Sequence, residues 1–295
     1  MYVVLLFMSE YCLYQLTTKV IVIIRRRGNA SFFTGVFIMC EIYGFSGKLE
    51  RELNSDLRRF YSHSSEHPNG WGLAIFNKYN TEIIKEEYRA DKSELLAERL
   101  KRPIKAKTAL AHIRLATIGH EEYDNCHPFT SVDNSGRTWT LIHNGTIFES
   151  DNIGKYILLQ KGETDSERIL LYIVDSINKK SAELGRDLTA EERFGILDEI
   201  IINSSPKNKL NLLIYDGEVI YAHSNFRDSL YYRNEKEGIT FSTQPLSENG
   251  WKNVEFMTLL GYREGEHIFT GTKHNHEYFF DPAAYNPLYM AYSGL

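Results

Sequence analysis

The 295-residue sequence has few cysteines, no excess of positive charge and no long apolar run, and each absence excludes a class of protein. Three cysteines are too few for a disulfide framework, so a reducing, cytoplasmic setting is predicted. The net charge of −5 gives no reason to expect nucleic acid or an anionic membrane as a partner. The apolar runs VVLLFM and VIVII are shorter than the roughly 20 residues of a membrane-spanning helix, so no membrane span is expected.

The residues that are plentiful indicate a folded domain rich in β-strands. Tyrosine (19) and phenylalanine (16) are abundant and accompany β-branched runs, a composition that favours strands. Apolar residues make up 42% and charged residues 25% of the chain, which is ordinary for a globular protein. A chain of this length can bury one large core.

Periodicity and turn residues predict an α+β fold from residue 40 onward. The segments CEIYGFS, WGLAIFN, TALAHIRLAT and TWTLIHNGTI are predicted to be strands, and LNLLIYDGEVIYAH a hairpin with an Asp-Gly tip. GETDSERILLYIVDSINKK is predicted to be a helix that starts with a capping box of Thr164 and Glu167. A second capping box, Thr189 to Glu192, starts another helix. Strands, two long helices and then more strands favour α+β layers over a parallel α/β sheet.

The dipeptide Met39-Cys40 looks like the beginning of a protein, although 38 residues precede it. Those residues share no pattern with the rest, and their apolar runs precede the arginine triplet at 25–27, whereas a secretory signal has its positive charge first. We therefore expect residues 1–39 to be an extension outside the domain, either translated from an upstream start or removed as a propeptide. Residues 40–295 are expected to form a single domain.

Cys40 is the first candidate catalytic residue. A cysteine is most often a small buried apolar residue, but the position of Cys40 directly after a plausible initiator methionine favours a chemical role. If Cys40 is the first residue of the mature chain, it carries both a thiol and a free α-amine. Such an amine titrates near about 7.7–8.0, so a fraction of it is unprotonated at neutral pH and can accept the thiol proton.

Arg114, Thr117 and Asp165 suggest a ligand with an amino-acid head. Arg114 is either a paired arginine on an edge strand or a guanidinium that binds a carboxylate with two parallel hydrogen bonds. Thr117, three residues further on, adds a hydroxyl donor. Asp165 lies at a helix start, where it is either a capping residue or, because Thr164 already fits the cap, a carboxylate that holds an α-ammonium group.

Two glycine-containing motifs allow both a structural and a functional interpretation. Asn144-Gly145 is either a turn between strands or an oxyanion hole formed by the Asn144 amide and the Gly145 N–H. In HPNGWG, Gly70 allows a close backbone approach and Trp71 is a candidate pocket wall.

The histidines do not predict a metal site. The spacings among five of them match no standard zinc pattern, so no metal and no cofactor are expected: His112, His127, His143, His274 and His276. His112 and His143 are expected to form hydrogen bonds within buried strands.

The segments MCEIYGFSG, HPNGWG, AHIRLATIG, NCHPF, HNGTI and GETDSE together resemble the class II glutamine amidotransferase domain, an N-terminal nucleophile (Ntn) hydrolase. The resemblance is dense from Cys40 to about Lys180 and looser as far as about Pro245. It implies a four-layer αββα sandwich of two antiparallel sheets between helix layers. The chain is too short for the additional domain of the long synthases and looks like the short, stand-alone type, similar to the YafJ-like bacterial proteins.

The resemblance also implies a role for each candidate residue. Cys40 would be the nucleophile and its α-amine the base, and Asn144 and Gly145 would form the oxyanion hole. Arg114 and Thr117 would bind the glutamine α-carboxylate, and Asp165 the α-ammonium group. The HPNGWG segment, which includes Gly70 and Trp71, would correspond to a loop that closes over glutamine. The sequence departs from the family pattern at Asn69, where relatives often have Asp, and in the position of Cys40.

The implied reaction is hydrolysis of the side-chain amide of glutamine, or of another γ-glutamyl amide, through a cysteine thioester. Ammonia and glutamate would be released. Two alternatives remain open: a glutaminase subunit that delivers ammonia to a separate synthetase, and a non-catalytic domain that binds glutamine. The expected partner is therefore a small-molecule substrate, with a separate ammonia-accepting enzyme in one of the alternatives.

Overall fold

A computed structural model describes residues 6–8, 11–16, 19–24, 35–37, 39–77, 80–148 and 150–279 of the protein. Its first four strands form a separate antiparallel sheet, in the order β1 (Leu6–Met8), β2 (Tyr11–Leu16), β3 (Lys19–Ile24) and β4 (Gly35–Phe37). Among the described residues, these strands pair only with one another. That residues 1–39 lie outside the domain stays a prediction.

The rest of the described chain contains four α-helices and thirteen strands. In chain order they are β5 (Glu41–Glu52), α1 (Asn54–Tyr61), β6 (Trp71–Asn77), β7 (Asn80–Glu86), α2 (Glu94–Lys101), β8 (Lys105–Ile113), β9 (Phe129–Val132), β10 (Thr138–Thr146), α3 (Asp165–Leu184), α4 (Ala190–Ser204), β11 (Lys209–Tyr215), β12 (Ile220–His223), β13 (Tyr231–Asn234), β14 (Gly238–Ser242), β15 (Lys252–Asn253), β16 (Leu260–Arg263) and β17 (Glu266–Thr270). Short 3-10 helices lie at Ser62–Glu66, Ala90–Lys92, Tyr123–Asn125 and Gly154–Leu158.

These strands build two larger sheets. One has seven strands in the order β15-β13-β14-β5-β8-β6-β7, and the other has six in the order β17-β16-β12-β11-β10-β9. In the described part of the chain both sheets are antiparallel throughout. The strand β8 therefore lies between β5 and β6, and β10 lies beside β11.

Three apolar clusters show how the sheets and helices stack. Leu57 of α1 belongs to a cluster between the seven-stranded sheet and the helices α1 and α2. Ile173 of α3 and Leu197 of α4 belong to a cluster on the six-stranded sheet. A third cluster, which includes Leu110 of β8 and Leu213 of β11, lies between the two sheets. This stacking confirms the predicted α+β fold, a four-layer αββα sandwich.

The strand β5 shows how its sequence alternation produces two of these layers. Tyr43 and Phe45 face the helices, and Ile42 faces the other sheet, because successive side chains of a strand point to opposite sides. Gly44 also faces the other sheet, where a Cβ atom would lie only 2.6 Å from the side chain of Leu213. The sheets thus approach closely at Gly44, where a larger residue would require the Leu213 side chain to move.

The two predicted capping boxes have different outcomes. At α4, Thr189 and Glu192 form the complete box, as predicted. At α3, the Thr164 side chain accepts the Glu167 N–H, but the Glu167 carboxylate accepts the N–H groups of Lys161 and Gly162. The second half of that predicted box is therefore wrong, because the preceding turn has amide donors that the carboxylate satisfies.

A buried ion pair joins α4 to the hairpin of β11 and β12. Arg193 donates from Nε to Asp216 Oδ2 at 2.7 Å and from Nη1 to the Leu188 carbonyl at 2.8 Å. The Tyr221 hydroxyl also donates to Asp216 Oδ2, at 2.7 Å. Asp216 is fully buried and Arg193 is 3% exposed, so the Asp216 carboxylate depends on the Arg193 charge.

We predict that Arg193→Met destabilises the fold by about 3 kcal/mol, because it leaves the buried Asp216 without its main cation. This loss of stability lies at the low end of the range for breaking a buried ion pair, because Arg137 remains 3.9 Å from Asp216. Urea unfolding of both proteins measures the difference. Arg186→Met, which breaks the solvent-exposed pair with Glu192, is the control and should change the midpoint little. Equal losses in the two variants would contradict the prediction.

Candidate active site

The candidate site lies where strand ends of both sheets meet. At the end of β8, Ile113 pairs with the first residue of β5 on one side and the first residue of β6 on the other. The residues just beyond, Cys40, Arg114 and Gly70, therefore lie side by side at one edge of the seven-stranded sheet. The Arg114 N–H donates to the Gly70 carbonyl at 2.8 Å, which continues the ladder past the strand ends.

The facing edge comes from β10 and β11 of the six-stranded sheet. Thr146, at the end of β10, pairs with Lys209 at the start of β11. Thr117 Oγ1 lies 3.1 Å from Thr146 Oγ1, and His112 Nε2 lies 3.2 Å from the His143 carbonyl oxygen. These contacts join the end of β8 to β10 across the sandwich.

Cys40 has its thiol held against the backbone that follows β8. The side chain is partly buried, and its Sγ donates to the Leu115 carbonyl at 3.1 Å and accepts the Leu115 N–H at 3.2 Å. Burial raises the pKa of this thiol above its ordinary value, while the Leu115 hydrogen bond and the positive charges of Arg114 and Lys209 act in the opposite direction. The environment of Cys40 thus combines a desolvated thiol with two nearby cations.

Met39 lies inside the site. Its carbonyl accepts a hydrogen bond from His67 Nε2 at 2.8 Å, and its sulfur lies 3.0 Å from Lys209 Nζ. His67 is fully buried, and its Nδ1 lies 2.9 Å from the His63 carbonyl oxygen. With Met39 attached, the Cys40 nitrogen is an amide and not an amine.

The guanidinium of Arg114 is enclosed by backbone carbonyl groups. Nη1 donates to Asn69 O at 3.3 Å and His120 O at 3.1 Å, and Nη2 donates to Ile118 O and Gly119 O, both at 2.9 Å. The side chain is 2% exposed. All four terminal N–H groups are therefore engaged, and a carboxylate binds to them only if the 118–120 segment gives up its contacts.

Asn144 and Gly145 lie within β10, so the alternative interpretation of this pair as a turn is wrong. Asn144 is 1% exposed, and its Oδ1 accepts a hydrogen bond from Lys209 Nζ at 2.9 Å. A Cβ atom on Gly145 would collide with the Lys209 carbonyl oxygen and with His143 Nε2. Close approach of β11 therefore requires glycine at this position.

Asp165 is the first residue of α3 and is 4% exposed. Thr164 caps the helix, as predicted, which leaves the Asp165 carboxylate for another partner. Its Oδ2 accepts the Ile147 N–H at 2.6 Å, directly after the end of β10. The carboxylate therefore lies beside the strand end that carries Asn144 and Gly145.

The HPNGWG segment packs closely against its neighbours at the start of β6. Gly70 has φ of 130°, and a Cβ atom there would lie 2.5 Å from the Cys126 sulfur. Trp71 is fully buried in the cluster between the sheet and α1, and its indole N–H donates to Glu86 at 3.1 Å. The prediction that Trp71 walls a pocket is therefore not supported, because alternation along β6 turns the side chain to the helix face of the sheet.

Asn69, the residue at which the sequence departs from the family pattern, organises the segment after Arg114. Its Oδ1 accepts the Ala116 N–H at 2.9 Å, and its Nδ2 donates to Glu121. An aspartate would accept the first bond but could not donate the second. Asparagine therefore suits this position, because Glu121 accepts the hydrogen bond that only an amide can donate.

Lys209 is the site residue that the sequence prediction missed. It is 2% exposed, donates to Asn144 and lies with Nζ 5.1 Å from the centre of the Phe226 ring. Burial lowers the pKa of Lys209 from 10.5 to about 7. The sequence offers one sign of this residue, a lysine at the start of an apolar strand. That Lys209 belongs to the site follows from the pairing of β11 with β10.

The histidines are connected through hydrogen bonds and ring stacking. His143 Nδ1 lies 3.0 Å from Ser166 Oγ, and the rings of His112 and His127 stack with their centres 4.1 Å apart. Within the described ranges, no group of three or more His, Cys, Asp or Glu side chains could hold a metal ion. No helix in the described part of the chain is long and apolar enough to span a membrane.

Comparison with known proteins identifies the class of this fold and site. The chain is 29% identical over 265 residues to the uncharacterized protein MJ1515 of Methanocaldococcus jannaschii, covering 80% of this chain and 72% of that one. It is 25% identical over 190 residues to Escherichia coli YafJ, whose name as a glutamine amidotransferase is itself provisional, covering 63% and 72%. The structure of Bacillus subtilis glutamine phosphoribosylpyrophosphate amidotransferase superposes with a TM-score of 0.58 at 16% identity, covering 80% of this chain and 49% of that one. The fold of the sandwich is thus shared with that amidotransferase.

The family model of the class II glutamine amidotransferases matches residues 39–237. The chain belongs to this family. Members of the family act on the amide of glutamine, and the matched residues include every predicted site residue from Cys40 to Asp165.

We predict that Lys209→Met stabilises the fold, and more at acid than at alkaline pH. Between about pH 7 and the ordinary lysine value of 10.5, the unfolded chain holds a proton on Lys209 that the folded chain has lost. The stability of the natural protein therefore rises with pH across this window, and the methionine variant lacks that rise. The excess stability of Lys209→Met over the natural protein should therefore be largest below pH 7 and shrink towards pH 10.

Urea midpoints of the two proteins between pH 6 and pH 10 measure this advantage. Lys236→Met, at an exposed position, is the control and should differ from the natural protein by a constant amount. A Lys209→Met advantage that stays constant with pH, or a loss of stability at pH 6, would contradict the prediction.

Proposed function

We propose that this amidotransferase hydrolyses the side-chain amide of glutamine, or of another γ-glutamyl compound, through a thioester on Cys40. The observation that carries the proposal is the convergence of Cys40, Arg114 and Asn144 at one edge of the sandwich, with Lys209 touching both Met39 and Asn144.

The nucleophile is the Cys40 thiol, and the base is the α-amine that Cys40 carries once it is the first residue. The amine takes the thiol proton, and Sγ attacks the amide carbon of the substrate. The tetrahedral intermediate collapses, the proton passes to the leaving nitrogen, and ammonia departs. Water then attacks the γ-glutamyl thioester, which releases glutamate and restores the thiol.

This mechanism requires the working chain to begin at Cys40, with residues 1–39 absent. The contacts of Met39 support the requirement, because its carbonyl and its sulfur lie next to His67 and Lys209 within the site. Removing Met39 turns the Cys40 amide into an amine and vacates the space beside Lys209. The domain of the working protein is then residues 40–295.

The oxyanion hole is formed by Asn144 Nδ2 and the Gly145 N–H. The Asn144 side chain has its oxygen engaged by Lys209, and among the described residues its Nδ2 donates to no other group. A preorganised donor of this kind is worth about 10²–10³ in rate. The negative charge that develops on the substrate oxygen would thus meet a donor that is already oriented.

The amino-acid head of the substrate is bound by Arg114, Thr117 and Asp165. The carboxylate replaces the carbonyl groups that now surround Arg114, which are weaker partners for a guanidinium than a charged group. Asp165 keeps its bond to the Ile147 N–H and uses its other oxygen for the α-ammonium group. Gly70 shapes this edge through its backbone, and Trp71 supports it from the core.

We predict that Cys40→Ser abolishes ammonia release from glutamine and that Cys126→Ser does not. Both substitutions exchange sulfur for oxygen, but Cys126 is fully buried and its Sγ donates to the Glu86 carbonyl at 3.3 Å, a group with no role in the proposed reaction. Ammonia release is measured with the purified protein alone. If Cys40→Ser releases ammonia as fast as the natural protein, the mechanism has no thioester on Cys40. That result would favour a non-catalytic role for Cys40.

We also predict that the active protein has Cys40 as its first residue. Intact mass and N-terminal sequencing of the active preparation check this, because the α-amine exists only in that form. An active preparation that retains residues before Cys40 would rule out the amine as base. Steady hydrolysis by the protein alone supports an autonomous amidase, and activity confined to a complex with an ammonia-accepting enzyme supports the subunit alternative.

A further inference from the structure

We propose that Lys209 is a positioning residue that holds the Asn144 amide in the orientation that the oxyanion hole requires. The inference rests on the proposed function, since it concerns the same reaction. It assigns a role to a residue of β11, a strand on which none of the predicted site residues lies.

The chemistry of the two side chains decides the orientation of the amide. A side-chain amide has the same shape in two orientations that exchange its oxygen and nitrogen, and its surroundings select one of them. A protonated lysine has donors only, so while Lys209 holds its proton the group of Asn144 that lies 2.9 Å from Nζ must be Oδ1. Nδ2 is then forced to the opposite side, where it is available as a donor.

Lys209 lacks the partner that a buried lysine usually has. In the described part of the chain it makes no ion pair with a carboxylate, and its contacts are Asn144 Oδ1, the Met39 sulfur and the face of Phe226. Burying an amine with so little compensation opposes folding. The placement is therefore better explained by the hydrogen bond to Asn144 than by a contribution to stability.

The backbone around Lys209 makes the contact rigid. Its carbonyl accepts a hydrogen bond from His143 Nε2 at 2.9 Å, and its Cα lies opposite Thr146 in the ladder. Gly145 permits this approach, because a Cβ atom there would collide with the same carbonyl. The lysine and the proposed oxyanion donors are thus held on neighbouring, tightly paired strands.

The contact also strengthens the donor. A hydrogen bond to Oδ1 polarises the amide, which increases the positive charge at Nδ2. The Asn144 bond does not involve Met39, so it is retained in a chain that begins at Cys40. In that chain the space beside Lys209 Nζ is open to the substrate.

A double-mutant cycle in ammonia release tests the inference. In the natural background, Lys209→Met should lower kcat by about tenfold to a hundredfold, the range expected for a lost hydrogen bond to a charged group, with KM changed less than about threefold. In the Asn144→Ala background, the same substitution should change kcat less than about twofold, because the group it orients is gone. This loss of effect separates positioning from a merely structural role, which would act in both backgrounds.

Lys85→Met is the matched control. Lys85 is half-buried, and its ammonium group donates to an uncharged acceptor as that of Lys209 does, the Cys126 carbonyl at 2.8 Å, but it does not contact Asn144. It should leave kcat unchanged in both backgrounds.

Three outcomes overturn the inference. An unchanged kcat in Lys209→Met, or equal losses in the two backgrounds, refutes positioning while ammonia release by the natural protein still supports the proposed function. If the natural protein, shown by mass to begin at Cys40, hydrolyses neither glutamine nor γ-glutamyl amides, the proposed function fails and the inference fails with it.

Discussion

The pairing of β5 and β6 with the two sides of β8 is the constraint on which the candidate site depends. It places Cys40, Arg114 and Gly70 at one edge although they are far apart in the chain, because the end of a strand in an antiparallel sheet lies beside the starts of its neighbours. The second sheet stacks on the first at the same edge, and the contact of Thr117 with Thr146 joins them. A shift of register by one residue would turn the side chains to the opposite faces and dismantle the site.

Positively charged and polar side chains are concentrated and buried around this edge. Arg114 is compensated by carbonyl groups and Lys209 by an amide oxygen, and among the described residues neither forms an ion pair with a carboxylate. In the proposed mechanism, the substrate carboxylate binds Arg114 once the 118–120 carbonyl groups release it. The two buried cations also oppose folding, and the large apolar layers on both sides of the sheets, together with the Arg193–Asp216 pair, supply the compensating stability.

Much of the fold was predictable because its elements are determined by local sequence. The helix α4 begins at the predicted Thr189 box, and the hairpin of β11 and β12 turns at Asp216 as its Asp-Gly pair indicates. The prediction for Glu167 was wrong, because which amide a carboxylate accepts depends on the path of the preceding turn. The burial of Trp71 against α1 was not predictable, because the sequence does not state which face of β6 the helices cover.

The sequence by itself determined the α+β layering, the family and the residue types of the site, since all of these are carried by short motifs and by periodicity. Tertiary structure alone decided which groups touch. Lys209 became a site residue only through the pairing of β11 with β10, and Arg114 acquired its carbonyl partners only through the fold of the 118–120 segment. The physical reason is that hydrogen bonds and burial depend on distances between segments that the chain order does not specify.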